Sequence, residues 1–400
     1  MPAAPSPAPP RQPAIDALRG VLVLLVVTHH LNLRLRLANS PAALHLPAAL
    51  VRLIGWTGHQ SVVVFFVVSG FLITSLSLTR WGSLDRLEPR QFYLLRVSRI
   101  APCLLALLAV LTVLHLSGAP GYVIDERRAT LGRALLAAVG MHLNWLEGHR
   151  GYLPGSWDVL WSLSVEETFY LAFPLACVWL RSRGALLSLL GALIVVGPIS
   201  RLGLSDQDPW EDYAWLSCTD GLAFGCLAAL AAARLRPSRA VRSLFAVAGF
   251  AAVLLVVWFR QEAGRLGLFA TGLDVTVLAA GASLLLIGLR HGAASSLERV
   301  SAPLRLLGRC SYEVYLTHMF VVLSAIAAAP KDLVHSVWVP AWYAGVVCAS
   351  GALGWAVARF YSEPLNRALR RRWLAAAPAP YLRPIATHAQ IAASARHSGE

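Results

Sequence analysis

Apolar segments of about twenty residues recur along almost the whole chain, and this feature restricts its fold most. Ten of them are long enough to cross a lipid bilayer as helices, which takes about 17 to 25 residues each. They lie near residues 15–32, 60–79, 98–117, 161–180, 185–203, 214–234, 243–259, 271–289, 311–329 and 339–360. Hydrophobic residues make up 57% of the sequence and charged residues only 14%, which excludes an ordinary soluble domain. The sequence therefore predicts an all-α polytopic membrane protein of about ten transmembrane helices.

A further apolar stretch at 129–145 is shorter and is interrupted by Arg133, His142 and Asn144. On its own it fits either an eleventh span or a helix at the outer membrane surface. The distribution of arginine decides between these readings, because cytoplasmic connections are rich in Arg and Lys. With ten spans and the amino terminus inside, every inner connection is basic, whereas the connection at 203–213 is acidic. We therefore expect ten spans with both termini in the cytoplasm.

Composition divides the chain into three parts. Six prolines among residues 1–13 predict a disordered arm, and we do not expect the following segment to be a cleaved signal peptide. Residues 14–372 form the transmembrane domain, and the Ala-, Pro- and His-rich residues 373–400 predict a disordered cytoplasmic tail. The net charge of +14 indicates topology and not a nucleic-acid surface. The six cysteines are scattered without ligand spacing, so no metal site is expected.

The first span, AIDALRGVLVLLVVTHHLN at 14–32, carries Arg19 and His30. Eleven positions at about 100° each return a helix to within roughly 20° of the same face, with a rise of about 16 Å. Both side chains therefore point the same way. Ionisable groups inside a span usually face a protein interior or a wet cavity, although both residues could also be anchors near the membrane borders. We expect His29 to be turned away from this face.

Two further polar groups lie in later spans. Arg96 and Arg99, in FYLLRVSRIAP, share a helix face and could grip a phosphate or pyrophosphate, or could serve only as cytoplasmic anchors. Glu166 and Glu167, in WSLSVEETFY, would lie just inside a helix capped by Ser162 or Ser164, where the helix dipole favours acids. Since adjacent residues point about 100° apart, we do not expect both glutamates to serve one site. One of them could face His30.

The positions of these residues suggest separate sites for donor binding and for chemistry. Arginines near the inner border would hold an anionic donor, whose reactive end would reach along the first helix to His30. A histidine paired with a carboxylate suits general-base or acyl-relay chemistry at neutral pH, since its reference pKa is near 6.5.

The chain resembles the acyltransferase-3 family of integral membrane acyltransferases over nearly its whole length. The matching stretches follow the family's order, and they are IDALRGVLVLLVVTHH, FFVVSGFLIT, FYLLRVSRIAP, WSLSVEETFYLAFP, DGLAFGCLAAL, GRCSYEVYLTHMF and YSEPLNR. The resemblance implies transfer of an acyl group, most often acetyl, from cytoplasmic acyl-CoA to a hydroxyl, without a metal. It implies His30 as the catalytic centre with Glu166 and Glu167, and Arg19, Arg96 and Arg99 as donor-binding residues. The other site candidates in the matching stretches are Ser69, Asp220, Tyr315, His318 and Glu363.

For some of these residues a structural explanation stays open. His318 fits a site or simple packing, His59 fits a polar loop, and Asp220 fits a buried polar contact near the site. Gly70 fits close helix packing.

The implied setting is the bacterial inner membrane, with the lipid bilayer and a glycan or small-molecule hydroxyl acceptor as partners and no nucleic acid. A macrolide or other secondary metabolite is an alternative acceptor. The acceptor, the acyl chain, a homo-oligomer and a separate periplasmic partner are left open by the sequence. Two other classes of function also remain, namely a glycan transporter or exporter that uses the same polar helices, and a scaffold of a cell-envelope complex.

The topology can be tested with reporter fusions. A reporter that is active only in the cytoplasm should give signal when fused to the carboxyl end, because ten spans return the chain to the side where it starts. A silent cytoplasmic fusion together with an active periplasmic one would contradict the topology.

Overall fold

The computed structural model describes residues 12–41, 43, 46–235, 237–289 and 301–374, and these ranges contain helices and no strand. Most of the predicted arm and tail therefore lies outside the described residues. At the tail's predicted start the last helix continues to Leu374, two residues further than the sequence suggests. The prediction of an all-α polytopic membrane protein is confirmed, and the orientation of its termini stays a prediction.

The α-helices in the described ranges are numbered in chain order. They are α1 (Pro13–Asn32), α2 (Ala48–Trp56), α3 (Gly58–Trp81), α4 (Pro89–Leu116), α5 (Leu131–Val139), α6 (Leu143–Arg150), α7 (Gly155–Asp158), α8 (Leu160–Leu180), α9 (Arg183–Gly203), α10 (Trp210–Tyr213), α11 (Thr219–Arg234), α12 (Arg239–Val257), α13 (Arg260–Arg265), α14 (Leu273–Leu289), α15 (Ala302–Arg309), α16 (Ser311–Ala328), α17 (Val339–Val357) and α18 (Glu363–Leu374). A π-helical segment, Ala358–Ser362, joins α17 to α18.

Each of the ten predicted segments coincides with a helix. Nine helices of the described chain are long and apolar enough to cross a membrane, and the tenth, α14, is an apolar helix of 17 residues. The helices α3 and α11 are the most buried of the nine, whereas α9 and α12 bury the least of their surface. The former pair therefore lies at the centre of the bundle, and the latter pair at its edge.

The ambiguous stretch at 129–145 does not form a span. Thr130 caps α5 by accepting a hydrogen bond from the backbone N–H of Arg133 (3.4 Å), and α5 ends at Val139. Met141 then takes a left-handed backbone conformation (φ 59°), which breaks the helix before α6 begins. With nine and eight residues, these helices are too short to cross a bilayer.

The helix α6 is fixed to the next connection by a buried acid. Glu147 is fully buried, and its Oε1 accepts a hydrogen bond from the backbone N–H of Leu153 (3.0 Å). Burial, together with nearby Asp158, raises the pKa of Glu147 well above its usual range. The neutral acid is therefore favoured at this buried position.

The central helices α3 and α11 touch through their backbones. A Cβ added to Gly70 would lie 2.1 Å from the carbonyl oxygen of Leu222, and one added to Gly225 would lie 2.0 Å from that of Val67. Only glycine permits this approach, and small residues at such contacts are typical of membrane helix pairs. The expected packing role of Gly70 is confirmed.

Glycines also let α1 and α15 touch through their backbones. A Cβ on Gly20 would lie 2.0 Å from the carbonyl oxygen of Leu304, and one on Gly308 would lie 1.7 Å from that of Asp16. The two glycines therefore meet at one level of the bundle. His30 on α1 and His318 on α16 each lie ten residues beyond one of these glycines, and their ring centres are 5.1 Å apart.

This contact gives a stability prediction. Gly308→Ala should lower the apparent melting temperature of the detergent-solubilised protein, because the added methyl group forces α15 away from α1 at a cost of about 1–3 kcal/mol. Gly345→Ala is the matched control, since a Cβ at that helical glycine meets nothing within 4 Å. Equal melting temperatures for the two variants, measured by size-exclusion chromatography after heating, would contradict this packing.

Candidate active site

The candidate site begins with two histidine rings from different helices. The ring centres of His30 on α1 and His318 on α16 are 5.1 Å apart, with 47° between their planes. His318 is fully buried and His30 is half-buried. We call these two residues the histidine pair. The structure thus places His318, for which the sequence left packing open, directly against His30.

His29 has a different environment. One of its ring nitrogens, Nδ1, lies 3.0 Å from the carbonyl oxygen of Gly55 on α2. Its side chain also fills the space beside Gly58 at the start of α3. The ring is therefore turned towards α2 and α3, as expected from its position one residue before His30.

Neither glutamate of α8 contacts His30, which corrects the expectation that one of them could. Glu166 instead accepts hydrogen bonds from the hydroxyls of Ser69 (2.9 Å) and Tyr170 (3.3 Å). The physical reason is depth, because Ser69 lies midway along α3 whereas His30 lies at the end of α1. The groups that act on His30 electrostatically are His29, Arg34 and His318.

The expected cap of α8 is also wrong. The helix begins at Leu160, so Ser162 and Ser164 lie inside it and Glu166 is its seventh residue. The Oγ of Ser164 accepts a hydrogen bond from the backbone N–H of Leu143 (3.1 Å) and donates one to Leu160 (3.2 Å). Because the helix dipole acts mainly within the first turn, it does not explain the two glutamates.

Both glutamates belong to one cluster, although they point in different directions. The guanidinium of Arg96 lies over the ring of Tyr170, 3.6 Å from its centre, and its Nη2 is 3.7 Å from Oε1 of Glu167. Tyr170 in turn donates to Glu166. The expectation that adjacent carboxylates would not share a site is therefore wrong, since Arg96 and Tyr170 connect them. We call Ser69, Arg96, Glu166, Glu167 and Tyr170 the arginine–glutamate cluster.

Arg99 does not offer a free guanidinium beside Arg96. Its Nη1 and Nη2 bind the two carboxylate oxygens of Glu313 on α16 at 2.5 and 3.1 Å, and Glu313 is fully buried. The expected joint grip of Arg96 and Arg99 on a phosphate is therefore not preformed. The sequence reading missed Glu313, although a carboxylate in the first turn of an apolar span should have identified it.

Arg19 has no ion-pair partner among the described residues. It is half-buried, and within the described ranges it makes no hydrogen bond or ion pair. Its electrostatic neighbours are Asp16, Arg99, Glu166 and Tyr170. Arg19 thus points into the bundle towards the arginine–glutamate cluster, and its donor groups are available to a ligand.

Tyr315 lies between the cluster and the histidine pair. Its hydroxyl donates to the carbonyl oxygen of Val159 (3.0 Å) and so accepts from Ser162 Oγ (2.7 Å). It interacts electrostatically with Glu166, and its carbonyl oxygen is 2.6 Å from Nδ1 of His318. Ser162 and Tyr170 are further polar residues that the sequence reading did not single out as site candidates.

Asp220 is not brought into this arrangement. It is fully buried against Arg201, whose Nη2 and Nη1 bind Oδ2 and Oδ1 at 2.8 and 3.3 Å, and the hydroxyl of Thr276 lies 2.7 Å from Oδ2. This network joins α9, α11 and α14, and it gives Asp220 a structural role. His59 lies 3.6 Å from Asp212 and lines a small pocket that also reaches Asp220.

Glu363 is also separate from the site. It is exposed at the start of α18, where its backbone carbonyl accepts from Arg367 (3.2 Å).

Together these contacts define two polar regions inside an apolar bundle. The arginine–glutamate cluster with Arg19 can bind an anion, and the histidine pair can accept a proton. A family model described as an acyltransferase domain matches residues 12–360. The chain belongs to the acyltransferase-3 family. It is therefore an acyltransferase and a multi-pass membrane protein, as the resemblance predicted.

Two similar proteins carry names that specify a reaction. The chain is 26% identical to the peptidoglycan O-acetyltransferase OatA of Listeria monocytogenes over 334 residues, which cover 78% of this chain and 49% of that protein. It is 28% identical to the O-acetyltransferase OatA of Staphylococcus aureus over 200 residues, or 48% of this chain and 29% of that protein. The chain thus spans half or less of these relatives. No solved structure matches it.

The ion pairs of the acyltransferase give a stability ranking. Glu313→Gln should reduce the yield of folded protein more than Glu167→Gln, because it leaves Arg99 without the carboxylate that both its arms bind. Breaking a buried pair costs about 3–5 kcal/mol. The cost is smaller here, because 25% of the Arg99 side chain is exposed. Glu167 is the matched control, since its oxygen is 3.7 Å from Arg96. Equal yields by fluorescence-detected size-exclusion chromatography would contradict this ranking.

Proposed function

We propose that this acyltransferase transfers an acetyl group from cytoplasmic acetyl-CoA to a hydroxyl of an extracytoplasmic cell-envelope glycan. One observation carries the proposal: a single helix holds a guanidinium, Arg19, that has no hydrogen-bond or ion-pair partner among the described residues, and an imidazole, His30. Each faces polar side chains of other helices in the bundle. The names of the two relatives, both O-acetyltransferases, support the choice of acetyl group and of oxygen as acceptor. The membrane would be the bacterial inner membrane.

The donor would be held through its phosphates. Arg19 is available for this, and the ion pair of Arg96 with Glu167 is long, at 3.7 Å, while its guanidinium lies over the ring of Tyr170. A further cation comes from α18, where Nε of Arg370 lies 3.4 Å from Ser98 Oγ on α4. Arg370 is also close enough to Arg80, Arg96 and Arg99 to be repelled by them. An anion bound here would relieve that repulsion, and guanidinium groups suit phosphate through their planar donor forks.

The chemical step would take place at His30. The acceptor oxygen forms a bond to the carbonyl carbon of the thioester, and the carbon–sulfur bond breaks. His30 removes the hydroxyl proton as the oxygen attacks and then passes it to the departing sulfur, so the products are an ester and a free thiol. A half-buried imidazole fits this role, because it can meet an acceptor while apolar helices exclude most water.

The proposal predicts that His30→Ala abolishes O-acetylation while the protein still reaches the membrane at its normal level. Removing a general base lowers a rate by about 10²- to 10⁴-fold. The measurement is ester-linked acetate, released by mild alkali from the peptidoglycan and other envelope glycans of cells that express the full chain. His29→Ala is the matched control, because this neighbouring ring faces Gly55 and not His318.

Other outcomes would reject the proposal. Normal acetylation by His30→Ala would contradict the histidine's role. If His30→Ala leaves acetylation unchanged but the glycan is retained inside the cell, the result would instead support a transporter. An acetylated metabolite in place of acetylated glycan, identified by mass spectrometry of wild-type and deletion cells, would identify a small-molecule acceptor.

A further inference from the structure

We propose that His318 is a positioning residue for His30. In this arrangement Nε2 of His318 accepts the N–H of His30, so that the other nitrogen of His30 presents its lone pair to the acceptor hydroxyl. The inference rests on the proposed function, because it assumes that His30 is the base. It assigns to a buried neutral imidazole the orienting task that a carboxylate usually performs.

The hydrogen bond at the other nitrogen fixes the tautomer of His318. Its Nδ1 lies 2.6 Å from the carbonyl oxygen of Tyr315. A carbonyl oxygen can only accept, so Nδ1 must carry the hydrogen. In a neutral imidazole Nε2 then has a lone pair and no hydrogen. The ring is fully buried and no carboxylate contacts it in the described part of the chain, which favours the neutral form.

That lone pair has no hydrogen-bond donor among the described residues. Nε2 of His318 is buried and unpartnered. The neighbouring hydroxyls are already committed, since Thr317 donates to the carbonyl of Glu313 (2.7 Å) and Tyr315 donates to that of Val159 (3.0 Å). A buried acceptor without a partner costs about 1–3 kcal/mol, so a donor is expected to complete it during function.

His30 is placed to supply this donor. The two ring centres are 5.1 Å apart, a separation at which facing nitrogens can form a bond of about 2.9 Å. The bond is unmade in this structure, where the two ring planes are tilted by 47°. Catalytic hydrogen bonds often align only once substrate is bound. The close contact between Gly20 on α1 and Gly308, just before α16, holds the two helices together and keeps the rings within reach.

The pairing has a direct chemical consequence. A neutral imidazole has one N–H and one lone pair, so donation of the N–H to His318 leaves the lone pair of His30 for the acceptor hydroxyl. When His30 takes the hydroxyl proton it becomes an imidazolium, and its bond to the lone pair of His318 strengthens. The proton then passes from His30 to the thiolate of the donor, and His318 returns to its starting state without gaining or losing a proton.

The test compares two amides at position 318, using the full chain purified in lipid nanodiscs. In His318→Gln the side-chain amide reaches the position of Nε2 and can still accept from His30. In His318→Asn the shorter amide replaces Nδ1, so it keeps the bond to Tyr315 but offers His30 no acceptor. Thiol release from acetyl-CoA is measured with soluble peptidoglycan fragments as the acceptor.

We expect His318→Asn to lower kcat by about tenfold to a hundredfold without changing KM for acetyl-CoA, and His318→Gln to stay within a few-fold of the unaltered protein. Equal kcat values for the two amides, with both proteins monodisperse, would overturn the inference. A purely structural role would instead make Gln the worse variant, since Gln loses the bond to Tyr315.

A second measurement does not need the acceptor. Diethylpyrocarbonate modifies neutral imidazole nitrogens, and mass spectrometry reads the modification of His30 in a His29→Gln background. We expect the rate to fall several-fold in His318→Asn and to be kept in His318→Gln. Equal rates would overturn the pairing whether or not transfer is detected. The expected order without any His30-dependent transfer would support the pairing and contradict the proposed function.

Discussion

The cost of placing charge inside a bilayer governs how this protein is assembled. Most buried ions of the described chain are paired with an opposite charge on another helix, because an isolated charge in hydrocarbon is expensive. Glu313 of α16 binds Arg99 of α4, and Asp220 of α11 binds Arg201 of α9. The first pair joins helices that are distant in sequence, whereas the second joins two successive long helices. The polar residues therefore act as specific connections in a bundle whose apolar surfaces alone would allow many arrangements.

Arg19 departs from this rule, and the departure indicates function. Its side chain enters the same interior as the paired arginines, and among the described residues it has only electrostatic neighbours, such as Asp16 and Glu166, and no carboxylate at ion-pair distance. A protein that pairs Arg99 so completely gains nothing in stability from leaving Arg19 open. The simplest physical account is that the missing partner is a substrate. The same reasoning applies to Nε2 of His318, which is buried at the site without a hydrogen-bond partner among the described residues.

Much of the fold could be predicted from the sequence, because hydrophobic length and arginine placement depend on local composition. The ten apolar segments and the shared face of Arg19 and His30 follow from helix geometry alone. Which helices meet does not, because it depends on backbone contacts such as Gly308 against Asp16. For this reason the expectation from the sequence that one of Glu166 and Glu167 could face His30 was wrong. Glu313 was also missed as the partner of Arg99. The break at Met141 was also unforeseen, since it depends on a single backbone angle.

In the proposed function, the spacing along α1 would set the length of the donor. Arg19 and His30 are separated by about 16 Å along the helix axis. A compact activated carrier such as acetyl phosphate could bind near Arg19 or near His30 but could not reach both. Only a carrier that keeps its anionic end far from its reactive carbonyl, on a thin flexible arm, can engage both at once. The helix would thus select its donor by length before any chemistry begins.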